Sequence, residues 1–355
     1  MDTVGGAEVV ALTLAKELNA DLYSTVADQE KIKRMGFDIE VKTIGWIPKN
    51  APFRQQLTSL RFRFLNLSSQ YDFFIIAGDW ALSGVVRNKP NLWYVHSPTR
   101  EIWDLYEYMR NDVLSEHRFS KIKTLLFDMW VYYNRYLSRK YIKHAGKLVC
   151  SSENVQARIA TYFDRKSVII NPPADNSKFH YEKNGDFWLS VNRLSYQKRV
   201  ELQIETFKKL PNEKLIIVGP YEDNSHIDEY REQLEKILPD NVSIVSSASH
   251  DELINLYANC RGFITTAKDE DFGITPLEAM ASGKPVIAPN EGGYKETIIN
   301  GVTGVLMDDI DSEKLIEVIK RVGKNPERYK DNCLAHAQKF DTAVFVDRIR
   351  NEIEK

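Results

Sequence analysis

No apolar run in this 355-residue chain reaches the roughly 18 residues that a bilayer-spanning helix needs. The first ten residues, MDTVGGAEVV, lack the basic segment followed by an apolar one that marks a secretory leader. Cysteine is scarce: Cys150, Cys260 and Cys333 are scattered, odd in number and without Cys-x-x-Cys spacing, which predicts reduced core residues rather than a disulfide or metal framework. No G-x-G-x-x-G follows a predicted strand with an acid about 20 residues on, which argues against a dinucleotide oxidoreductase. These absences lead to the expectation of a cytoplasmic protein. Net charge is small too, at −2. It conceals an asymmetry, because residues 1–170 hold 24 Lys plus Arg against 18 Asp plus Glu, a net of +6, and the remainder nets −8. That excess is too dispersed for a nucleic-acid surface, but it suits an anionic acceptor or peripheral contact with the inner membrane face.

What is present is an ordinary globular composition, 43% hydrophobic and 28% charged, on a chain long enough for two domains. The pattern alternates strand and helix. Strands are predicted at Leu22 to Val26, Phe73 to Ala77, Leu92 to Val95, Phe187 to Val191, Lys214 to Val218, Val242 to Val245 and Gly262 to Thr266. Helices are predicted at Val200 to Leu210, Ile227 to Leu238 and Asp251 to Asn259, the last from a Ser249-x-x-Glu252 capping box. Such alternation predicts an α/β fold with parallel sheets covered on both faces. Asn171-Pro172-Pro173 is the best boundary, because paired prolines make a stiff, extended connection. The expected division is 1–172, 173–340 and a final helical segment, 341–355.

The most informative stretch is KDEDFGITPLEAMASGKPVIAPNEGGYKETIINGVT, residues 268–303. It follows an apolar strand, so its acidic loop lies where open α/β sheets bind ligands. Thr275 and Pro276 are expected to open a helix as N-cap and first helical residue, with Gly283 before Pro285 ending it. Backbone N–H groups around Phe272, Gly273, Ile274 and Thr275 would then seat a diphosphate or a sugar hydroxyl. Glu270 and Glu278 would accept hydroxyl hydrogen bonds on either side. Glu278 has an equally good alternative as the acid of a Thr275-x-x-Glu278 capping box.

Arg193 and Lys198 stand in the loop after the strand beginning at Phe187, where cations can neutralise a leaving diphosphate, although such a loop is usually a solvated turn. Gly5 and Gly6 precede an amphipathic helix and allow close approach of a phosphate. His96 ends a predicted strand in YVHSPTREIWDLY, a placement for ligand contact, although a lone His is more often structural. Residues 118–147, basic and aromatic, read first as one long, partly buried helix and second as a membrane-surface face. Phe53 to Leu67 carries the same ambiguity.

The segment 268–303 resembles the E-x7-E signature of retaining glycosyltransferases of family 4, whose fold is called GT-B. The resemblance implies two Rossmann-like domains facing a donor and acceptor cleft, with the last helix crossing back to the first domain. Members carry an apolar strand before the first Gly-Gly turn, so the natural start is expected upstream of residue 1. The resemblance also implies that Glu270 contacts the donor sugar, Glu278 the ribose, Arg193 and Lys198 the phosphates, and His96 the reacting bond. Arg199 stands where a glycine is frequent. YVHSPTREIWDLY with AKDEDFGI is similar to a branch of O-antigen-type mannosyltransferases. From that similarity come GDP-mannose as donor, retention of configuration, no required metal or cofactor, a glycan or lipid-linked acceptor, and Arg100, Asp104 and Tyr106 as acceptor-side candidates. The alternatives are a UDP-sugar donor, or a non-catalytic nucleotide-sugar-binding subunit. Without a ligand, Arg100 to Tyr106 reads as an amphipathic helix with Trp103 inward.

Overall fold

A computed structural model describes residues 5–48, 52–113, 121–220 and 227–355. Residues 1–4, before the first glycine pair, and 118–120, at the start of the basic aromatic stretch, lie outside the described residues. The chain forms two compact units, one from Met1–Lys33, Phe37–Asn171 and Arg348–Lys355, the other from Arg34–Gly36 and Pro172–Asp347.

In the first unit, β1 (Leu22–Ser24) and β2 (Val41–Thr43) pair in parallel. A separate parallel sheet holds β3 (Phe74–Ala77), β4 (Asn91–Val95), β5 (Lys147–Cys150) and β6 (Val168–Ile169) in that order. Every residue of β4 is buried, which is why NLWYV reads as a nearly unbroken apolar run. Trp93 and Val95 pack with Leu82, Leu148, Val155 and Ile159 in this unit's core. The end of the final helix, Thr342–Glu354, is tied to the same unit: Arg348 donates to the Ile169 carbonyl at 2.6 Å and Arg350 to that of Glu17 at 2.9 Å.

The second unit contains β7 (Phe187–Val191), β8 (Lys214–Val218), β9 (Val242–Val245), β10 (Gly262–Ile264), β11 (Val286–Pro289) and β12 (Gly304–Met307). All six are parallel, in the order β12-β11-β10-β7-β8-β9. The chain winds outward in one direction from β7 and in the other from β10, so the switch point where such sheets bind ligands lies at the carboxyl ends of these two strands. Leu189, Ile217, Phe263 and Ile287 are fully buried. The helix His250–Asn259 starts from the predicted capping box, with Ser249 and Glu252 bonding reciprocally. β10 is two residues shorter than its apolar run: Thr265 still donates to the Ile287 carbonyl at 3.0 Å, but the Thr266 hydroxyl turns toward the loop after β7. All three cysteines are buried and unpaired with one another.

Candidate functional site

The loop leaving β7 is held against β8 by bonds from Asn192 N–H to the Val218 carbonyl (3.0 Å) and from Leu194 N–H to that of Pro220 (2.9 Å). Between them Arg193 exposes its side chain. The approach depends on Gly219, where a Cβ would lie 1.9 Å from the Asn192 carbonyl oxygen. A short turn, Tyr196–Lys198, then delivers Lys198, followed by Arg199 in the left-handed region at φ 50°, ψ 45°. A side chain there costs about 1 kcal/mol, which explains why glycine suits the position. Here the side chain compensates. Arg199 donates to the carbonyls of Thr266 and Ala267 and pairs with Glu291. The Thr266 hydroxyl donates back to the Lys198 carbonyl at 2.6 Å, and Lys268 N–H to that of Gln197 at 2.9 Å. The two loops at the switch point are thereby stitched into one piece.

Across that seam Lys198 meets Glu270 at 2.6 Å, each side chain 21% exposed. Tyr294 supports the pair from below: its hydroxyl donates to Glu270 at 3.4 Å and shares a 2.7 Å bond with Thr265. Burial, and then the Glu270 charge, hold the Tyr294 phenol well above its ordinary pKa, so it stays a donor. Gly292 and Gly293 are required because the acidic loop lies directly on them. A Cβ would come within 2.5 Å of the Glu270 carbonyl oxygen at Gly292 and 2.4 Å of the Phe272 Cα at Gly293. Sequence reasoning missed Tyr294 and Gly219, although each adjoins a visible signal, the Gly-Gly pair and the Val-Gly-Pro turn after β8.

The helix start differs from expectation. It runs Ile274–Ala281 with Gly273 (φ 95°) as its cap, so Thr275 lies inside the first turn and Pro276 follows it. The cause is tertiary: the loop turns sharply over Tyr294, whose ring would be 2.8 Å from any Cβ on Gly273. The C-terminus follows expectation, with Gly283 left-handed and Lys284 N–H reaching the Ala279 carbonyl at 2.9 Å. Glu278 is not a capping acid; it accepts from the Tyr257 hydroxyl at 2.7 Å. Burial raises its carboxyl pKa, and the Tyr257 bond partly offsets this. Phe272 packs its ring into the core beside Phe340, leaving only its backbone near the seam. The acidic loop contains an Asp-x-Asp spacing, Asp269-Glu270-Asp271, a motif of metal-dependent transferases. Among the described residues no three His, Cys, Asp or Glu side chains gather to hold a metal.

In the first unit, the helix Gly6–Glu17 opens with Gly5, whose N–H donates to Glu8 at 2.9 Å, so a carboxylate of the chain already occupies that helix end. His96 follows β4, its backbone fixed by the Ser151 hydroxyl at 3.0 Å and its ring edge-on to Tyr94 at 5.0 Å. Its Nε2 is buried and has no hydrogen-bond partner among the described residues. Burial pushes its pKa down to about 4, so it is neutral at physiological pH. Arg100 and Asp104 pair at 2.8 Å, beside the buried Arg158, which donates to Ser97 at 2.7 Å. Tyr106 belongs to another cluster, donating to Asp128, which Arg110 also binds. The expected amphipathic helix here is replaced by two short turns, Arg100–Ile102 and Tyr106–Tyr108, because Trp103 stacks on Tyr162 and lies beneath Arg135 and Arg139.

Residues 174–339 match the family described as Glycosyl transferases group 1. The matched stretch lies within the second unit and spans most of it. The chain is 25% identical over 228 residues to Uncharacterized glycosyltransferase MJ1178 of Methanocaldococcus jannaschii, covering 62% of this chain and 63% of that one. Over 352 residues it is 26% identical to Alpha-1,3/1,6-mannosyltransferase ALG2 of Dictyostelium discoideum, 85% of this chain and 83% of the relative. The crystal structure of Anabaena Alr3699/HepE in complex with UDP and glucose superposes with a TM-score of 0.78 at 20% identity, over 100% of this chain and 97% of the other. The fold is GT-B, and the stretch that matches the group 1 family contains the six-stranded sheet.

Proposed function

We propose that this chain is a retaining, metal-independent glycosyltransferase that moves mannose from GDP-mannose to a hydroxyl of a glycan or lipid-linked oligosaccharide. The observation that carries the proposal is the Lys198–Glu270 pair spanning the β7/β10 switch point of a group 1 domain. A lysine ammonium has three donors, so Lys198 can keep Glu270 and still bind a phosphate oxygen. Arg193 adds a second cation to the same loop. As the bond between sugar and diphosphate breaks, these charges stabilise the developing negative charge, and Glu270 orients the sugar and favours its cationic character. The acceptor oxygen forms its new bond on the same face, and its proton passes to the departing phosphate oxygen. Backbone N–H groups at the Gly273–Thr275 helix start seat the diphosphate, and Glu278, held by Tyr257, takes the ribose hydroxyls. His96, neutral and with an Nε2 that has no partner among the described residues, offers one hydrogen bond to a ligand hydroxyl at the first unit.

Mannose is favoured by the similarity to ALG2. UDP-glucose is the second reading, supported by the superposition on a structure holding UDP and glucose. Incubating the purified chain with GDP-mannose, UDP-glucose or UDP-N-acetylglucosamine, with and without EDTA, and following nucleoside diphosphate release tests both. GDP release that persists in EDTA supports the proposal. UDP release moves the donor to the second reading, and loss in EDTA returns the Asp269–Asp271 spacing to a metal role. Binding without release from any donor identifies a non-catalytic subunit.

A further inference from the structure

The first unit carries a surface that the transfer chemistry does not use. Helix Lys121–Tyr141 buries only Val131 and Asn134. Ile122, Leu125, Leu126 and Met129 are exposed, Ile122 at 70% and Leu126 at 58%, and Tyr132, Tyr133 and Tyr136 continue the exposure toward the C-terminus. At 100° per residue these seven fall within an arc of about 120°, nearly opposite Val131. This is a continuous apolar face directed at solvent. Soluble monomers rarely leave one uncovered.

Charge selects what covers it. The helix holds five basic residues, Lys121, Lys123, Arg135, Arg139 and Lys140, and one acid, Asp128, which Tyr106 and Arg110 already occupy. A second helix of the same unit, Phe53–Phe64, exposes Phe53, Leu60 and Phe64 among Arg54, Arg61 and Arg63 and contains no acid. The two helices touch through Gln56 and Asn134 at 2.9 Å. Self-association through the long helix would set a net +4 against another +4. An aliphatic stripe, a tyrosine-rich end and flanking lysines together suit the boundary between anionic headgroups and acyl chains. No helix among the described residues is long and apolar enough to cross a membrane.

We propose that the Lys121–Tyr141 helix docks the chain in-plane onto an anionic lipid bilayer through its Ile122–Tyr136 face. The surface is independent of the donor site, and its test uses no nucleotide sugar, so the two proposals fail separately. The full chain is floated with vesicles of phosphatidylcholine alone and with vesicles that also contain phosphatidylglycerol. Flotation is expected only with the second, weakened by salt, and reduced roughly tenfold or more by Lys123→Gln with Lys140→Gln. Leu126→Glu with Met129→Glu is expected to abolish it while leaving the melting temperature unchanged, since both side chains are exposed. The proposal is overturned if phosphatidylglycerol vesicles are not bound, or if the Leu126→Glu, Met129→Glu chain floats as wild type. It is equally overturned if sedimentation equilibrium without lipid shows a dimer that this variant dissolves, because the face then belongs to a second copy.

Discussion

Replacing Lys198 by Met and Glu270 by Gln, singly and together, tests whether the switch-point pair is one functional unit. At 2.6 Å the Coulomb attraction is about 6 kcal/mol for an effective dielectric constant near 20, most of it offset by desolvation. With each partner 21% exposed, the pair lies between surface bridges and buried ones, and a coupling of about 1–2 kcal/mol is expected in urea melts of the free protein. Turnover should respond more strongly. On the proposed mechanism Lys198→Met removes a cation from the developing diphosphate and is expected to lower kcat/KM by a factor of about 100–1000, or about 3–4 kcal/mol. Glu270→Gln leaves the ammonium in place but without its partner, and the double variant should lose less than the product of the single losses. Stability effects that add to within about 0.5 kcal/mol, together with full turnover by Lys198→Met, would refute the assignment.

His96 should make the first unit acid-sensitive. Its folded pKa of about 4 lies below the ordinary 6.5, so the unfolded chain binds the proton first. The stability it contributes is complete above the unfolded value and falls by up to about 3 kcal/mol as pH drops toward the folded one. Melts of His96→Gln across that window should show a shallower slope than wild type, and an identical slope sinks the argument. Gly292→Ala, at φ 58° and 2.5 Å from the Glu270 carbonyl oxygen, should cost about 1–3 kcal/mol and displace the acidic loop, raising the donor KM. Gly301→Ala, at φ 78° with open space around it, supplies the strain alone, and equal effects on KM would show that the loop contact is irrelevant. Tyr257→Phe leaves the Glu278 carboxylate without its phenol donor and should lower stability by about 1–3 kcal/mol while weakening donor binding. Unchanged values in both assays would separate Glu278 from the site.

Much of the second unit was legible because its parallel strands are covered on both faces, so β7, β8 and β9 appear in the sequence as apolar runs with matching ends. The acidic loop, its cations and the Gly-Gly turn were also visible, since each is a short, local signal next to a strand end. The Thr275-Pro276 pair misled because a cap is chosen by propensity only where nothing else bends the chain. Here Gly273 turns against Tyr294, 21 positions on in sequence, and moves the start of the helix. The exposed face of Lys121–Tyr141 was undecided for a related reason: periodicity marks an apolar stripe without saying whether anything packs on it. The alternation of elements, the order in which they arise and the loops that carry charge can all be read along the chain, because these depend on residues near one another in sequence. Folding in three dimensions was needed to bring Arg199 across 92 positions to Glu291, Tyr257 to Glu278 and Lys198 to Glu270. The first and last of these contacts exist because β7 and β10 are neighbours in one sheet, and the second because the helices before and after β10 pack together; no local propensity encodes either adjacency.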